Sequence, residues 1–511
     1  MIGGETKTLN YFVNGQSMPS QSGRTFEIFD PSTGKVIAHA PRCTAEEVIL
    51  AIEAARDAFP AWAATPAIKR VQVLYKFRSL VEQHLEELTL LLCSENGKVW
   101  DEAQGDVLKA KEAIELACGI PSLMTGESLA DATSGYDTVL YREPLGVFAG
   151  IAPFNFPAMI PMGWMLPVCI ATGNTLVLKA SNLTPMTSMR MLELLSEAGL
   201  PQGVVNLVTC DPHEAEILLK HPDVKGISFV GSTATGRHIY STAAAHGKRV
   251  QALCEAKNHA LVLEDAPLER TARSIVNAAF GCAGERCMAL PTVAVVESVA
   301  DELVAWLVRI AKERKIGPAY DKASELGPLV TESRRTFVTR WIEKGIEEGA
   351  QLVLDGRGVV VAGYEGGFYL GPCIFDHVEP GMSCGEQEIF GPVLCVKRVK
   401  NYEDGLALMN ANPFANGSVI FTQSGYSARD FARRTHAGMV GINVGIPVPV
   451  GVFPFTGHKN SFFGDLHTLG KDGVLFYTES KCVTSFWFDE AERRKEKLDP
   501  LAETVRKKVT A

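Results

Sequence analysis

The sequence has no surplus of positive charge, no paired cysteine spacing and no long uninterrupted apolar run, and each absence removes a class of function. Fifty Lys and Arg stand against 59 Asp and Glu, a formal net charge of −9, so no basic field exists to draw in nucleic acid or anionic lipid. The 12 cysteines are scattered without a CxxC pair, in a chain too long to need disulfide staples, and reduced thiols in a cytoplasmic setting are expected. The opening MIGGETKTLNYF has neither the basic-then-apolar pattern of a secretory signal nor the Arg- and Ser-rich character of a transit peptide. One stretch, residues 145–178, carries no charged side chain. Pro153, Pro157, Pro161 and Pro167 interrupt any continuous span there, and Asn155 and Asn174 would be costly in lipid. A buried strand, a turn and a buried helix are expected instead, with no membrane partner.

What is present is the composition of an ordinary globular protein: 46% hydrophobic and 21% charged residues, which argues against disorder and coiled coils. A length of 511 residues is enough for two or three domains at about 150 residues each. From residue 45 the apolar residues recur at three- and four-residue steps, predicting amphipathic helices. SLADATSGYDTVLY, Ser128 to Tyr141, alternates loosely and predicts an exposed strand or hairpin whose partner is distant in sequence. After Arg142, short β-branched runs (GVFAGIAP, NTLVLK, VVNLV, GISFVG) alternate with helical stretches. That alternation predicts βαβ crossovers and a doubly wound parallel sheet. A second α/β pattern begins at LVLEDA, Leu261, and continues through PTVAVVE and VLCVKRV. Residues 489–511 turn abruptly to mixed charge and read as a solvated helix or frayed tail.

Three short segments carry chemistry. Cys287 lies in Gly284-Glu285-Arg286-Cys287, between a predicted helix and a strand. A cysteine is commonly a small core hydrophobe, but a neighbouring guanidinium favours the reactive thiolate. Asn155, between aromatics in APFNFP, sits just beyond a predicted parallel strand, where its amide either closes a local turn or donates to an oxyanion. Gly231-Ser232-Thr233-Ala234-Thr235-Gly236 follows a strand and opens a helix. It is neither GxGxxG nor a P-loop, and Ser232 is either a plain N-cap or part of a phosphate seat.

Taken together, IAPFNFP (151–157), NTLVLK (174–179), ISFVGSTATG (227–236), AGERCMA (283–289) and EIFGPV (388–393) stand in the order and spacing of the aldehyde dehydrogenase superfamily, which the chain resembles from about residue 10 to 488. AKNH (256–259) and IPVPVGVFPFTGHKNSFFGDLH (446–467) resemble its CoA-acylating semialdehyde branch. The resemblance implies a Rossmann-type NAD domain (1–126 and 146–255), a catalytic domain (256–474) and a β arm (127–145 and 475–488) that pairs subunits into a homodimer or homotetramer. It also implies Cys287 as nucleophile and Asn155 as oxyanion donor. Lys179 and Asn182 would lie at the adenosine ribose, Ser232 at the pyrophosphate and Glu388 at the nicotinamide ribose, with Ala152, Phe154 and Cys254 lining the cleft. Glu388 has a plainer alternative as a surface carboxylate. The substrates implied are a small aldehyde and coenzyme A, with Arg286 and Lys109 offered as cations for a substrate carboxylate.

Several positions depart from that pattern. Leu253 stands where hydrolytic members carry a glutamate base, and a thiol with a pKa of about 8.5 needs less help than water. This favours thiolysis. Glu255 replaces a usual glycine and is a candidate surrogate base. Lys109 replaces arginine, and a lysine cannot form a planar bidentate clamp. Asn182 replaces a glutamate, which removes repulsion against a 2′-phosphate and leaves NADP open beside NAD. His458 replaces a tryptophan.

Overall fold

The short apolar runs become strands of two separate parallel sheets in the computed structural model, which describes residues 6–488. The expected charged tail, 489–511, lies outside the described residues. The first sheet contains β1 (Val147–Ile151), β2 (Thr175–Lys179), β3 (Val205–Val208), β4 (Val224–Val230) and β5 (Arg249–Leu253), all parallel, in the spatial order β5-β4-β1-β2-β3. Antiparallel strands close both edges: Phe462–Gly464 against β5, and Tyr11–Val13 against β3. Alternate side chains feed different cores. Leu176 and Leu178 join one apolar cluster and Val177 the other, so the sheet is covered on both faces and its strands read as continuous apolar runs.

The strand order reverses between β1 and β4. At such a switch point the loops leaving the two strands diverge to opposite faces and open a crevice at the carboxyl edge. The loop after β1 carries Asn155 and the loop after β4 carries Ser232.

The second sheet contains β6 (His259–Val262), β7 (Thr292–Val296), β8 (Cys373–Asp376), β9 (Val393–Val399), β10 (Gly417–Phe421) and β11 (Met439–Ile442), parallel in the order β8-β9-β7-β6-β10-β11. A third sheet is antiparallel and largely exposed. Tyr136–Pro144 lies between Ser128–Thr133 and Thr478–Phe486, with nine residue pairs from Thr478↔Pro144 to Phe486↔Tyr136. No helix among the described residues is long and apolar enough to cross a membrane.

The charge-free stretch after β1 departs from the expected plain helix. Met159–Met165 forms a π-helical turn before Leu166–Ala171 continues as α-helix. Pro161 and Pro167 bring no N–H to an α-helical ladder. Gly163 packs so closely on helix α1 (Trp100–Ala117) that a Cβ there would lie 2.9 Å from the Ala110 Cα. Asp106 of α1 holds the start of the turn, its Oδ1 accepting the Met159 N–H at 2.7 Å while its Oδ2 pairs with Lys98 Nζ at 2.8 Å.

Both members of that ion pair are buried, and Lys98 also lies 3.5 Å from the centre of the Phe156 ring. Asp106→Ala leaves an ammonium in the core without its counter-charge. It is expected to lower the unfolding free energy by about 3–5 kcal/mol in urea titration; an unchanged midpoint would refute a structural role for the pair.

Candidate active site

The loop after β1 is fixed by backbone carbonyl contacts before it does any chemistry. Asn96 Nδ2 and Thr184 Oγ1 both donate to the Phe154 carbonyl at 2.9 Å, and the Ala152 N–H donates to the Lys179 carbonyl at 3.0 Å. Asn155 is thereby buried, with its Nδ2 donating to the Glu285 carbonyl at 3.1 Å. An amide nitrogen has two hydrogens, and that bond uses one of them.

Cys287 follows a strained turn. Cys282 and Ala283 both have φ of 52° and Gly284 has φ of 72°, left-handed values that cost a non-glycine residue about 1–3 kcal/mol. The surroundings hold this shape. Glu102 accepts the Cys282 N–H at 2.8 Å, and Arg286 reaches back to within 3.1 Å of the Cys282 Sγ. A Cβ on Gly284 would meet the Gly391 carbonyl oxygen at 2.1 Å, so a side chain is excluded there. Beyond the turn, Asn258 Nδ2 donates to the carbonyls of Cys287 and Ala289 at 2.9 and 2.8 Å, while its Oδ1 accepts the Gly417 N–H. The half-buried Cys287 therefore sits on a segment tied to the start of the second sheet.

The opposite wall is helix α2 (Thr233–Ala245), capped by Ser232, whose hydroxyl accepts the Thr235 N–H. Gly236 is required by close approach, since a Cβ would lie 2.2 Å from the Cys254 Sγ. Burial pushes that thiol up to about 12. Lys179 ends β2 with an ammonium that has no hydrogen-bond or ionic partner among the described residues, and desolvation lowers its pKa. Asn182 donates to the Cys210 carbonyl at 3.0 Å, and its buried Oδ1 is unsatisfied. Across the crevice, the Phe154 and Phe390 rings meet edge to face at 5.9 Å. Next to Phe390, Glu388 accepts the Ala256 N–H at 3.0 Å. Burial, opposed by that bond and reinforced by Glu255, raises the Glu388 carboxyl to about 8. No group of three or more potential metal ligands occurs among the described residues.

The profile of the aldehyde dehydrogenase family matches residues 18–483. Malonate-semialdehyde dehydrogenase 2 of Geobacillus kaustophilus is 48% identical over 481 residues, covering 94% of this chain and 99% of that one. The chain belongs to the aldehyde dehydrogenase family. Two solved structures superimpose with TM-scores of 0.93 at 42% identity. One is methylmalonate-semialdehyde dehydrogenase from Oceanimonas doudoroffii, with 96% of this chain and 100% of that one covered. The other is a Sinorhizobium meliloti protein complexed with NAD, with coverages of 95% and 99%.

Against this aldehyde dehydrogenase fold, the candidate residues divide. Asn155 and Cys287 come together through the Glu285 carbonyl. Lys179, Asn182 and Ser232 lie at the carboxyl ends of the first sheet's strands or just beyond them, with Ala152, Phe154 and Cys254 beside them. The two cations considered for a substrate carboxylate are each already beside a carboxylate of the protein. Lys109 is exposed on α1 with its ammonium 2.6 Å from Glu112, and Arg286 stands 3.7 Å from Glu102. Glu255 turns to the Thr233 N–H at 2.9 Å. Leu253 is buried in the apolar cluster against which Cys287 packs.

The structure corrects one electrostatic expectation. Arg286 does favour the Cys287 thiolate, but burial and the nearby Glu388 outweigh it and push the thiol up to about 12. Sequence reasoning also missed Asn258, Glu102 and the Lys98–Asp106 pair as supports of the site. Asn258 lay inside the quoted AKNH motif, whereas the others had no local signal.

Because the thiol is held protonated, alkylation of Cys287 by iodoacetamide is expected to rise about tenfold per pH unit between pH 7 and 9. Glu388→Gln should shift that profile to lower pH and Arg286→Gln to higher pH. A plateau near pH 7 would contradict the assigned burial effect.

Proposed function

We propose that this chain is an NAD-dependent, CoA-acylating semialdehyde dehydrogenase that converts malonate semialdehyde to acetyl-CoA or methylmalonate semialdehyde to propionyl-CoA. The observation that carries the reading is Leu253, a buried apolar side chain of the cluster against which Cys287 packs, at the place of the hydrolytic base. The names of the Geobacillus and Oceanimonas relatives support the substrate class.

The crevice suits a dinucleotide. It has a switch-point location, a helix N-terminus at Ser232, and, at Lys179 and Asn182, an unpaired ammonium and an unsatisfied buried carbonyl oxygen ready for ribose hydroxyls. Lys179 and Asn182 would hold the adenosine ribose, Ser232 and the start of α2 the pyrophosphate, and Glu388 the nicotinamide ribose. Asn182 carries no charge to repel a 2′-phosphate, so NADP would fit the same end. When bound, the nicotinamide supplies a hydride acceptor.

The chain's own residues do the rest. Cys287 loses its proton and attacks the aldehyde carbon, and the second amide hydrogen of Asn155 with the Cys287 N–H receives the developing oxyanion. Loss of hydride from the adduct to a bound nicotinamide would leave a thioester on the Cys287 sulfur, and attack of the CoA thiolate on its carbonyl would expel the Cys287 thiolate and give the acyl-CoA. A β-carboxylate leaves as CO2 because the thioester carbonyl accepts the electron pair, and the resulting enolate takes a proton at carbon to give the acetyl or propionyl group. Arg286 is the better placed cation for that carboxylate, since it is next to Cys287 and only partly exposed.

The same reading assigns residues 1–126 and 146–255 to cofactor binding and 256–474 to catalysis, in a cytoplasmic enzyme. It makes the three-stranded sheet a contact between subunits of a homodimer or homotetramer. Leu129, Tyr141 and Val483 are exposed on that sheet, and its outer strand Thr478–Phe486 is unpaired on one side among the described residues.

NADH formation from malonate semialdehyde is expected only with CoA present, with acetyl-CoA and CO2 identified by mass. Cys287→Ala should reduce that rate by a factor on the order of 10⁴ or more while NAD still binds. Free acid formed equally fast without CoA would overturn the assignment.

A further inference from the structure

Glu255 follows the end of β5, at a position where the resemblance implies a glycine, and its carboxylate has a definite seat. Oε2 accepts the N–H of Thr233, the first residue of α2, at 2.9 Å. The backbone around Glu255 is pinned on both sides. The Cys254 N–H donates to the Ser461 carbonyl at 2.8 Å, the Ser461 hydroxyl donates to the Glu255 carbonyl at 2.6 Å, and the Ala256 N–H donates to Glu388 at 3.0 Å. Ser461 is itself fully buried. Freedom is confined to the side-chain torsions of Glu255.

A carboxylate oxygen on the unpaired N–H of a helix's first turn makes the contact that a phosphate oxygen would make there. The cleft thus has its anion seat filled from within, while the Lys179 ammonium at the end of β2 has no partner among the described residues. Both groups lie at the carboxyl edge of the first sheet, and they are the kinds of group that a diphosphate and a ribose would use.

We propose that Glu255 is an internal competitor for the cofactor's pyrophosphate and so sets how tightly the dinucleotide is held and how fast it leaves. The inference rests on the reading of Ser232 and the start of α2 as the pyrophosphate position. Binding then requires Glu255 to give up the Thr233 N–H. After oxidation of the aldehyde the carboxylate returns to that N–H and opposes rebinding of the reduced cofactor. If the docked form makes up about nine molecules in ten, the apparent Kd rises about tenfold.

The test is calorimetric titration of the full-length protein with NADH and, separately, with adenosine, which lacks phosphate. Wild type is compared with the near-isosteric Glu255→Gln and with Glu255→Gly, each first shown to be folded by circular dichroism. Glu255→Gly is expected to bind NADH roughly tenfold more tightly and to release it more slowly in stopped-flow displacement, and Glu255→Gln, whose amide oxygen still accepts from Thr233 but carries no charge, to tighten it by less, with adenosine affinity unchanged in both. NADH affinity equal to or below wild type in both variants would overturn the proposal. So would equal tightening toward adenosine, because the pyrophosphate would then not be what Glu255 opposes. If neither wild type nor variants bind NADH, the cofactor reading itself fails and the inference falls with it.

Discussion

The contact of the Asn155 amide with the Glu285 carbonyl, 3.1 Å long, joins the crevice loop of the first sheet to the segment of the second that bears Cys287. Neither loop has regular secondary structure across this junction, so each needs its backbone groups paired elsewhere to keep a shape. Asn96 and Thr184 supply this on one side through the Phe154 carbonyl, and Asn258 on the other through the carbonyls of Cys287 and Ala289. Side-chain amides and hydroxyls thus do what a sheet ladder does elsewhere. Asn155 and Cys287 are set by rigid neighbours rather than by loop chance, which is the condition that the proposed stabilisation of an oxyanion requires.

Burial shapes the electrostatics of the cleft more than local charge does. Arg286 is adjacent in sequence to Cys287, and sequence reasoning gives it the deciding vote. The three-dimensional surroundings add a cost of desolvation and the charge of Glu388, a residue more than a hundred positions away. A guanidinium partly engaged by Cys282 and Glu102 has less of its field left for Cys287. Net shifts of this kind follow from packing and distance, neither of which is written in a tetrapeptide.

The alternation of apolar runs and helices was legible, and so were four of the five parallel strands of the first sheet, because strands covered on both faces have a period-free apolar signature; the fifth, Arg249–Leu253, was not singled out. The hairpin near residues 128–141 was legible as exposed, but its partner at 478–486 was not, since pairing across more than three hundred residues leaves no local trace. The π turn at 159–165 was also hidden. Its cause is the contact between Gly163 and α1 together with the Asp106 bond to Met159, and both are tertiary. At the site, motif residues such as Asn155, Ser232 and Cys287 were legible by resemblance. The bond of Glu255 to the Thr233 N–H was not, because an acid read as a candidate base gives no local sign of which distant N–H it will meet.

If Cys287 is the nucleophile as proposed, the carboxylates Glu388, Glu255 and Glu285 show why the absence of a glutamate at position 253 is not repaired nearby. Glu388 accepts from Ala256, Glu255 from Thr233 and Glu285 from Val330, so each is committed to a backbone N–H that maintains the cleft. Leu253 meanwhile adds apolar surface to the cluster that Cys287 touches. Burial raises the Glu285 and Glu388 carboxyls to about 8, so near neutral pH they are largely protonated and poor bases for water, whose own acidity is far too low to supply hydroxide there. A thiol differs by many orders of magnitude in the fraction already ionised, and it is also the stronger nucleophile toward a thioester carbonyl. Under the proposed function, an apolar side chain at Leu253 and neutral neighbouring carboxyls together favour a thiol over water as acceptor of the acyl group, without any group devoted to rejecting water.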